Sequence, residues 1–167
     1  MALKIHDTLT QKSSEFVPLN PGQVKMYVCG PTVYGFLHVG NFRGPIFFNL
    51  VRNWLERGHG YKVTYVYNYT DVDDKIINRA NEEGVESSVI SERYIAEFEK
   101  DFALLKLRKH DHNPRVTEFM QPIRDMVTRL IDRKHAYVSQ GEVLFSVRNF
   151  KEYGKLSRKD IDDLQSG

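Results

Sequence analysis

The chain of 167 residues has one cysteine, Cys29. A lone thiol excludes an internal disulfide framework and fits a reducing compartment. No apolar run approaches the ~20 residues that a membrane-spanning helix needs. The opening "MALKIHDTLTQKSSE" has no apolar h-region, so no secretory leader is expected and the chain reads as soluble and cytoplasmic. Neither charge sign is in excess. A net charge of +2 is too small to mark a nucleic-acid binder by itself, so nucleic acid is neither implied nor excluded. Repeats and low-complexity stretches are missing. Both G-x-x-x-x-G-K-[ST] and G-x-G-x-x-G are missing too, so a phosphate site must be built another way. What is present is 41% hydrophobic and 12% aromatic residues, enough to core one domain, with or without an appended piece.

"KMYVCG" is a short β-prone run that stops at Gly30-Pro31. Ile46, Phe47, Leu50, Val51, Trp54 and Leu55 then recur at helical spacing, which predicts a helix burying that face against a sheet. Pro45 suits its first turn, and Gly58-His59-Gly60 ends it. "YKVTYVYNY" reads as an interior parallel strand. Strand, turn, helix and strand make a βαβ unit with a right-handed crossover, the first half of a doubly wound α/β domain.

"DVDDKIINRANEEG" is expected to be a short helix stopped by Gly84. A longer one follows, with Ile90, Tyr94, Phe98, Phe102 and Leu105 on one face. "KHDHNPR" is a polar break and the best boundary candidate. Beyond it lie an amphipathic helix through Phe119, Ile123, Met126, Val127, Leu130 and Ile131 and a hairpin turning near Gln140-Gly141. The tail "YGKLSRKDIDDLQSG" has no buried face of its own. Two strands do not finish a doubly wound sheet, so the sequence reads as cut, with an unpaired strand edge.

His38-Val39-Gly40-Asn41 falls at the end of the first strand-to-helix loop, where open α/β sheets bind ligands. A helix N-terminus there offers N–H groups and a positive dipole end to an anion. His38 can donate to a phosphoryl oxygen, and Gly40 leaves room for a flat base. A capping Asn and a hydrogen-bonded loop His explain the same residues without function. Cys29, at the strand's end, is either a small buried residue or a metal ligand lacking partners, because no Cys-x-x-Cys is present. His110 and His112 are a solvated loop or, less simply, a metal pair. Asp71, Asp73 and Asp74 suit a first helical turn, with Thr70 or Asp71 as cap, better than a magnesium site.

"MYVCGPTVYGFLHVGNFR", "YVYNYTDVDDKIINRA", "EFEKDFALLKL", "NPRVTEFMQPI" and "HAYVSQGEVLFSV" together resemble, in order and almost end to end, the N-terminal half of the catalytic domain of cysteinyl-tRNA synthetases, which are class I enzymes. The resemblance implies a Rossmann-like half-domain over residues 1–112 and, over 113–167, the start of an inserted α+β connective region. It implies that Cys29 is one of four zinc ligands, the zinc binding the substrate cysteine's thiolate so that serine is rejected. Pro31, Thr32, His38, Gly40 and Asn41 would bind ATP, with His38 and Asn41 as the catalytic pair. Cys29, Gly30 and Thr70 would face the amino acid.

The implied cofactors are Zn2+ and ATP with Mg2+, and the implied partners are ATP, L-cysteine and tRNA(Cys), with no membrane. The cysteine carboxylate attacks the ATP α-phosphorus, pyrophosphate leaves, and the cysteinyl group then passes to the terminal adenosine of its tRNA. Gly35 stands where many members carry Asp, the tetrad reads H-V-G-N, and "RGHGY" is one residue longer than usual. The other three zinc ligands, the K-M-S-K-S loop and the anticodon-binding region have no counterpart, and Asp160 to Gly167 offers no candidate. The expectation is a fragment, inactive alone, that self-associates or needs a complementing chain. The alternatives are a ligase joining cysteine to an amino sugar in mycothiol synthesis, and a short non-catalytic nucleotide-binding paralog.

Overall fold

The computed structural model describes residues 2–162; Met1 and residues 163–167, the end of the expected tail, lie outside the described residues. Strands β1 (Lys4–Asp7) and β2 (Lys12–Glu15) pair antiparallel, Lys4 opposite Glu15 and Asp7 opposite Lys12. The Asp7 carboxylate accepts from the N–H groups of Leu9 and Thr10, an Asx-type turn that reverses the chain. This hairpin is not among the elements expected from the sequence. All eight of its strand residues are exposed, so no alternation of apolar residues marks it.

From Pro18 to Met120 the chain forms one compact unit. Strand β3 (Gln23–Val28) pairs in parallel with β4 (Lys62–Tyr67), Val24 opposite Val63 and Val28 opposite Tyr67. Helix α1 (Val39–Asn53) and a π-type turn (Trp54–Gly58) connect them. The segment expected to be a polar break instead runs beside β4, through parallel bridges of Val66 with His112 and Tyr69 with Arg115. Tyr67 N–H donates to the His112 carbonyl at 3.0 Å and Tyr69 N–H to that of Pro114 at 2.9 Å. β4 is therefore flanked on both sides and is the interior strand its composition predicts. The other edge of β3 has no strand partner among the described residues.

Helix α1 differs from expectation twice. It begins at Val39, so Pro45 lies inside the helix and is buried rather than in its first turn. A capping box of His38 and Asn41 starts the helix before the proline is reached. The residues turned inward are Pro45, Arg52 and Leu55. Ile46, Phe47, Leu50 and Trp54 face solvent, Leu50 at 64% exposure, and of the expected face only Leu55 is fully buried. Arg52 decides this orientation. Its guanidinium donates to both carboxylate oxygens of Asp111, to Glu56 Oε1 and to the Lys109 carbonyl, and Asp111 in turn accepts from Tyr65 N–H at 2.7 Å. A buried guanidinium needs such partners, and only the inner face of the helix supplies them.

Helix α2 (Asp74–Glu83) is stopped by Gly84 at φ 66°, as expected, and is capped by Asp73, whose Oδ1 accepts from Lys75 N–H. Helix α3 (Ser87–Leu104) buries Ile90, Tyr94, Ile95, Phe98 and Phe102. Its inner face meets an aromatic column on the sheet: Phe98 lies edge-on to Tyr69, and Phe102 edge-on to Tyr67.

The second unit comprises the residues up to Val17 and those from Gln121 onward. Helix α4 (Met120–Asp132) follows a single 3-10 turn and has no buried residue among its thirteen. Strands β5 (Ala136–Ser139) and β6 (Glu142–Phe145) form the expected hairpin. Gln140 and Gly141 both have positive φ, the geometry of a tight two-residue turn. Tyr153, the first residue of the tail, meets Phe145, as Phe150 just before it does, so the tail has a small aromatic contact that the sequence does not signal.

Candidate functional site

The site is built at the carboxyl ends of β3 and β4, where two loops cross. Gly30 is required there, because a Cβ at that position would lie 1.6 Å from the Asn68 carbonyl oxygen. Asn68 ties the crossing. Its Oδ1 accepts from Gly30 N–H at 2.9 Å and from the Tyr27 hydroxyl at 2.8 Å, and its Nδ2 reaches Thr70 Oγ1 at 3.4 Å. Beyond it, Thr32 and Thr70 bridge in parallel. Thr70 N–H donates to the Pro31 carbonyl and Val33 N–H to the Thr70 carbonyl, while the Val33 side chain is wholly buried. Pro31 and Thr32 are thus joined directly to Thr70, and Gly30 is joined to it through Asn68. Asn68 is the organiser that sequence reading missed, although it stands in the same "NYTD" stretch as Thr70.

His38, Gly40 and Asn41 form the second cluster. His38 is the N-cap of α1, in extended backbone geometry. Its Nδ1 accepts from Gly40 N–H at 3.1 Å, and Asn41 Oδ1 accepts from His38 N–H at 3.0 Å, a reciprocal capping box. With Nδ1 as acceptor, the neutral ring carries its proton on Nε2. The cap and the phosphate-donor readings are therefore compatible: the cap uses one ring nitrogen and leaves the other as a donor. A Cβ on Gly40 would sit 3.0 Å from the imidazole, so glycine keeps the ring in place. The first turn of α1 holds no acidic side chain that would oppose an anion.

Cys29 is exposed, which removes the buried-core reading. Its Sγ lies 3.6 Å from the Gly30 carbonyl. A tetrahedral zinc needs four protein or substrate ligands, and no group of three or more His, Cys, Asp or Glu is gathered for a metal among the described residues. The residues present supply one ligand and do not by themselves fit the ion. The acidic run is dispersed by separate tasks. Asp73, rather than Thr70 or Asp71, caps α2. Asp71 is buried and accepts from both the N–H and the hydroxyl of Thr117.

His110 is not in a solvated loop. Its ring stacks on Tyr67 at 4.5 Å and meets Tyr65 edge-on at 4.8 Å. Burial lowers its pKa to about 4, with the Arg52 guanidinium acting in the same direction. Desolvation raises the Tyr65 and Tyr69 phenols to about 12 and Tyr67 further still. Of these groups, His110 and Tyr69 line a cavity of about 340 Å3 with Phe102, Lys109 and Asn113. None of Cys29, Gly30, Pro31, Thr32, His38, Gly40, Asn41 and Thr70 lines it, although Tyr69 reaches it from the loop crossing.

Comparison with known proteins now bears on this geometry. The family described as "tRNA synthetases class I (C) catalytic domain" matches residues 15–167. The chain belongs to that family. A protein of Bdellovibrio bacteriovorus named "Cysteine--tRNA ligase" is 64% identical over 165 residues, covering 99% of this chain and 34% of the relative. Relatives of the same name from Lachnoclostridium phytofermentans and Geobacter metallireducens are 52% and 49% identical, over 99% and 100% of the chain and 35% and 34% of their own lengths. The chain thus spans about a third of the length of these curated relatives. Among solved structures, the ternary complex LeuRS-tRNA-LeuAMS from Agrobacterium radiobacter K84 aligns with a TM-score of 0.54 at 20% identity, over 72% of this chain and 16% of that one. At that identity the likeness concerns the fold alone: an α/β synthetase catalytic domain. No helix among the described residues is long and apolar enough to cross a membrane.

Proposed function

We propose that the class I synthetase chain is the ATP-handling part of a cysteine–tRNA ligase. The observation that carries the reading is the capping box at α1, which leaves His38 Nε2 as a donor at an acid-free helix N-terminus. In this reading the β3–β4 pair belongs to the first half of a Rossmann-like sheet, carried by residues 1–112, and 113–167 opens the connective insertion. Pro31, Thr32, His38, Gly40 and Asn41 receive ATP, taken as its magnesium complex. His38 and Asn41 donate to phosphate oxygens as charge develops at the α-phosphorus. Cys29, Gly30 and Thr70 face the cysteine substrate.

The reaction forms a bond between the cysteine carboxylate oxygen and the α-phosphorus and breaks the α–β bridge. Pyrophosphate leaves, and tRNA(Cys) later takes the cysteinyl group with release of AMP. The residues orient and stabilise charge, and none is a nucleophile. Zinc, bound through Cys29 and ligands outside this chain, would select a thiol over a hydroxyl; no step here is routed through it. The chain works in the cytoplasm as part of a longer protein, and alone it is inactive, self-associating or needing a complementing chain. The names of the relatives favour tRNA over an amino-sugar acceptor.

Cysteine-dependent ATP–pyrophosphate exchange tests this. It should be absent from the chain alone and present in a chimaera where the chain replaces the matching third of the Bdellovibrio bacteriovorus relative. A folded chimaera without exchange, or exchange by the chain alone, would contradict the proposal.

A further inference from the structure

The loop between β3 and α1 carries most of the proposed nucleotide site, yet its second half has little backbone support. Tyr34, Gly35 and Phe36 make no backbone-to-backbone hydrogen bond among the described residues. Side chains of α2 and α3 take that role. Arg79 Nη1 donates to the Tyr34 carbonyl at 3.0 Å while its guanidinium lies 4.8 Å over the Tyr94 ring. Tyr94 also meets Phe36 edge to face at 5.4 Å, and Lys75 Nζ lies 5.2 Å over the Tyr34 ring. Arg79 is itself braced by Glu83, which accepts from Arg79 Nε at 3.0 Å and from Arg93 at 2.6 Å.

We propose that Arg79 is a positioning residue for the nucleotide loop: it fixes residues 34–38, and through them the place of the His38 ring, without touching substrate. This rests on the reading of His38 as a phosphate donor. Three features favour positioning over general stability. The carbonyl that Arg79 holds is four residues before His38, on a stretch that nothing else in the backbone secures. The guanidinium fork is fixed on two sides, by stacking and by Glu83, so it presents Nη1 in one direction. Gly35 adjoins it directly: a Cβ there would meet Arg79 Nη1 at 3.5 Å, an ordinary contact, and meets no other atom within 4 Å. Position 35 therefore tunes the latch. A carboxylate would add a charge-assisted bond to Arg79, and a cation would repel it.

Hydrogen–deuterium exchange of the unsubstituted chain and its variants, read peptide by peptide, tests the proposal. Arg79→Met should speed exchange across residues 34–38 by about tenfold while β3, β4 and the thermal midpoint stay unchanged. Arg79→Lys, which keeps the charge without the fork, should recover only part of the protection. Gly35→Asp should slow exchange below the unsubstituted rate, and Gly35→Lys should speed it. Unchanged exchange at 34–38 in a folded Arg79→Met chain would overturn the proposal. If that variant does not fold, Gly35→Asp decides, and unchanged exchange there would overturn it equally. Adding magnesium–ATP to the unsubstituted chain separates the two readings. No ATP-dependent slowing at 38–41 would count against the nucleotide site and leave the latch standing.

Discussion

The unit from Pro18 to Met120 and the unit formed by the chain's two ends differ in what their apolar residues touch. Among the described residues, the first holds fourteen of the fifteen buried hydrophobic residues, including Val33, Tyr65, Ile76, Ile90 and Phe98; the second holds Ala136. The ends are not poor in apolar residues. Ile123, Met126, Val138 and Leu144 are all there, and all are exposed. The difference teaches that the described chain concentrates its buried apolar packing in the unit that carries the crossing loops. A nucleotide site of the kind proposed, with His38 and Thr70 in it, would gain from standing on a packed aromatic core.

Substitutions can break that contrast. Phe98→Ala should lose about 4 kcal/mol in urea unfolding, whereas Phe150→Ala, at a half-exposed ring of the other unit, should cost far less. Asp111→Ala should lose about 2 kcal/mol, because it leaves Arg52 Nη2, on a guanidinium at 5% exposure, and the Tyr65 N–H without their acceptor, while Glu56 and the Lys109 carbonyl still hold the rest of the fork. Asp162→Ala breaks an ion pair that is about three-quarters exposed on both sides and should leave the midpoint unmoved.

Acid sharpens the contrast further. The His110 pKa, about 4 in the folded unit, lies below the ordinary value of 6.5. The unfolded chain therefore binds the extra proton between those values. Stability from this group is complete above about pH 6.5 and is lost as pH falls towards 4, about 2 kcal/mol in all. His110→Phe should flatten that part of the urea-midpoint profile. A smaller loss is expected of Asn41→Ala, about 1 kcal/mol from the lost cap, with ATP binding weakened more than stability.

Much of this arrangement is legible before folding. The alternation and β-branching of "KVTYVY" announce an interior strand, the Gly84 stop is visible, and the spacing of Ile90, Tyr94, Phe98 and Phe102 marks a buried face. Periodicity misleads in α1, where six apolar residues outvote one arginine on paper. The arginine prevails because its partners Asp111 and Lys109 come from nearly sixty residues away. The same long range hides the third parallel segment, since "DHNPR" is polar and borrows its hydrogen bonds from β4. At the site, the H-V-G-N tetrad was readable as both cap and donor, and both roles fit one imidazole. Asn68 was unreadable because its work lies across the loop crossing.

The central claim is that the His38 ring, held by its Nδ1, offers Nε2–H to a phosphate. Titrating the 15N-histidine-labelled chain with magnesium–ATP tests it most directly. The expected result is a saturable shift of the His38 Nε2 signal that Gly40→Val, which crowds the ring, abolishes. A chain in which ATP moves no histidine signal, or moves His110 and leaves His38 still, would contradict the account.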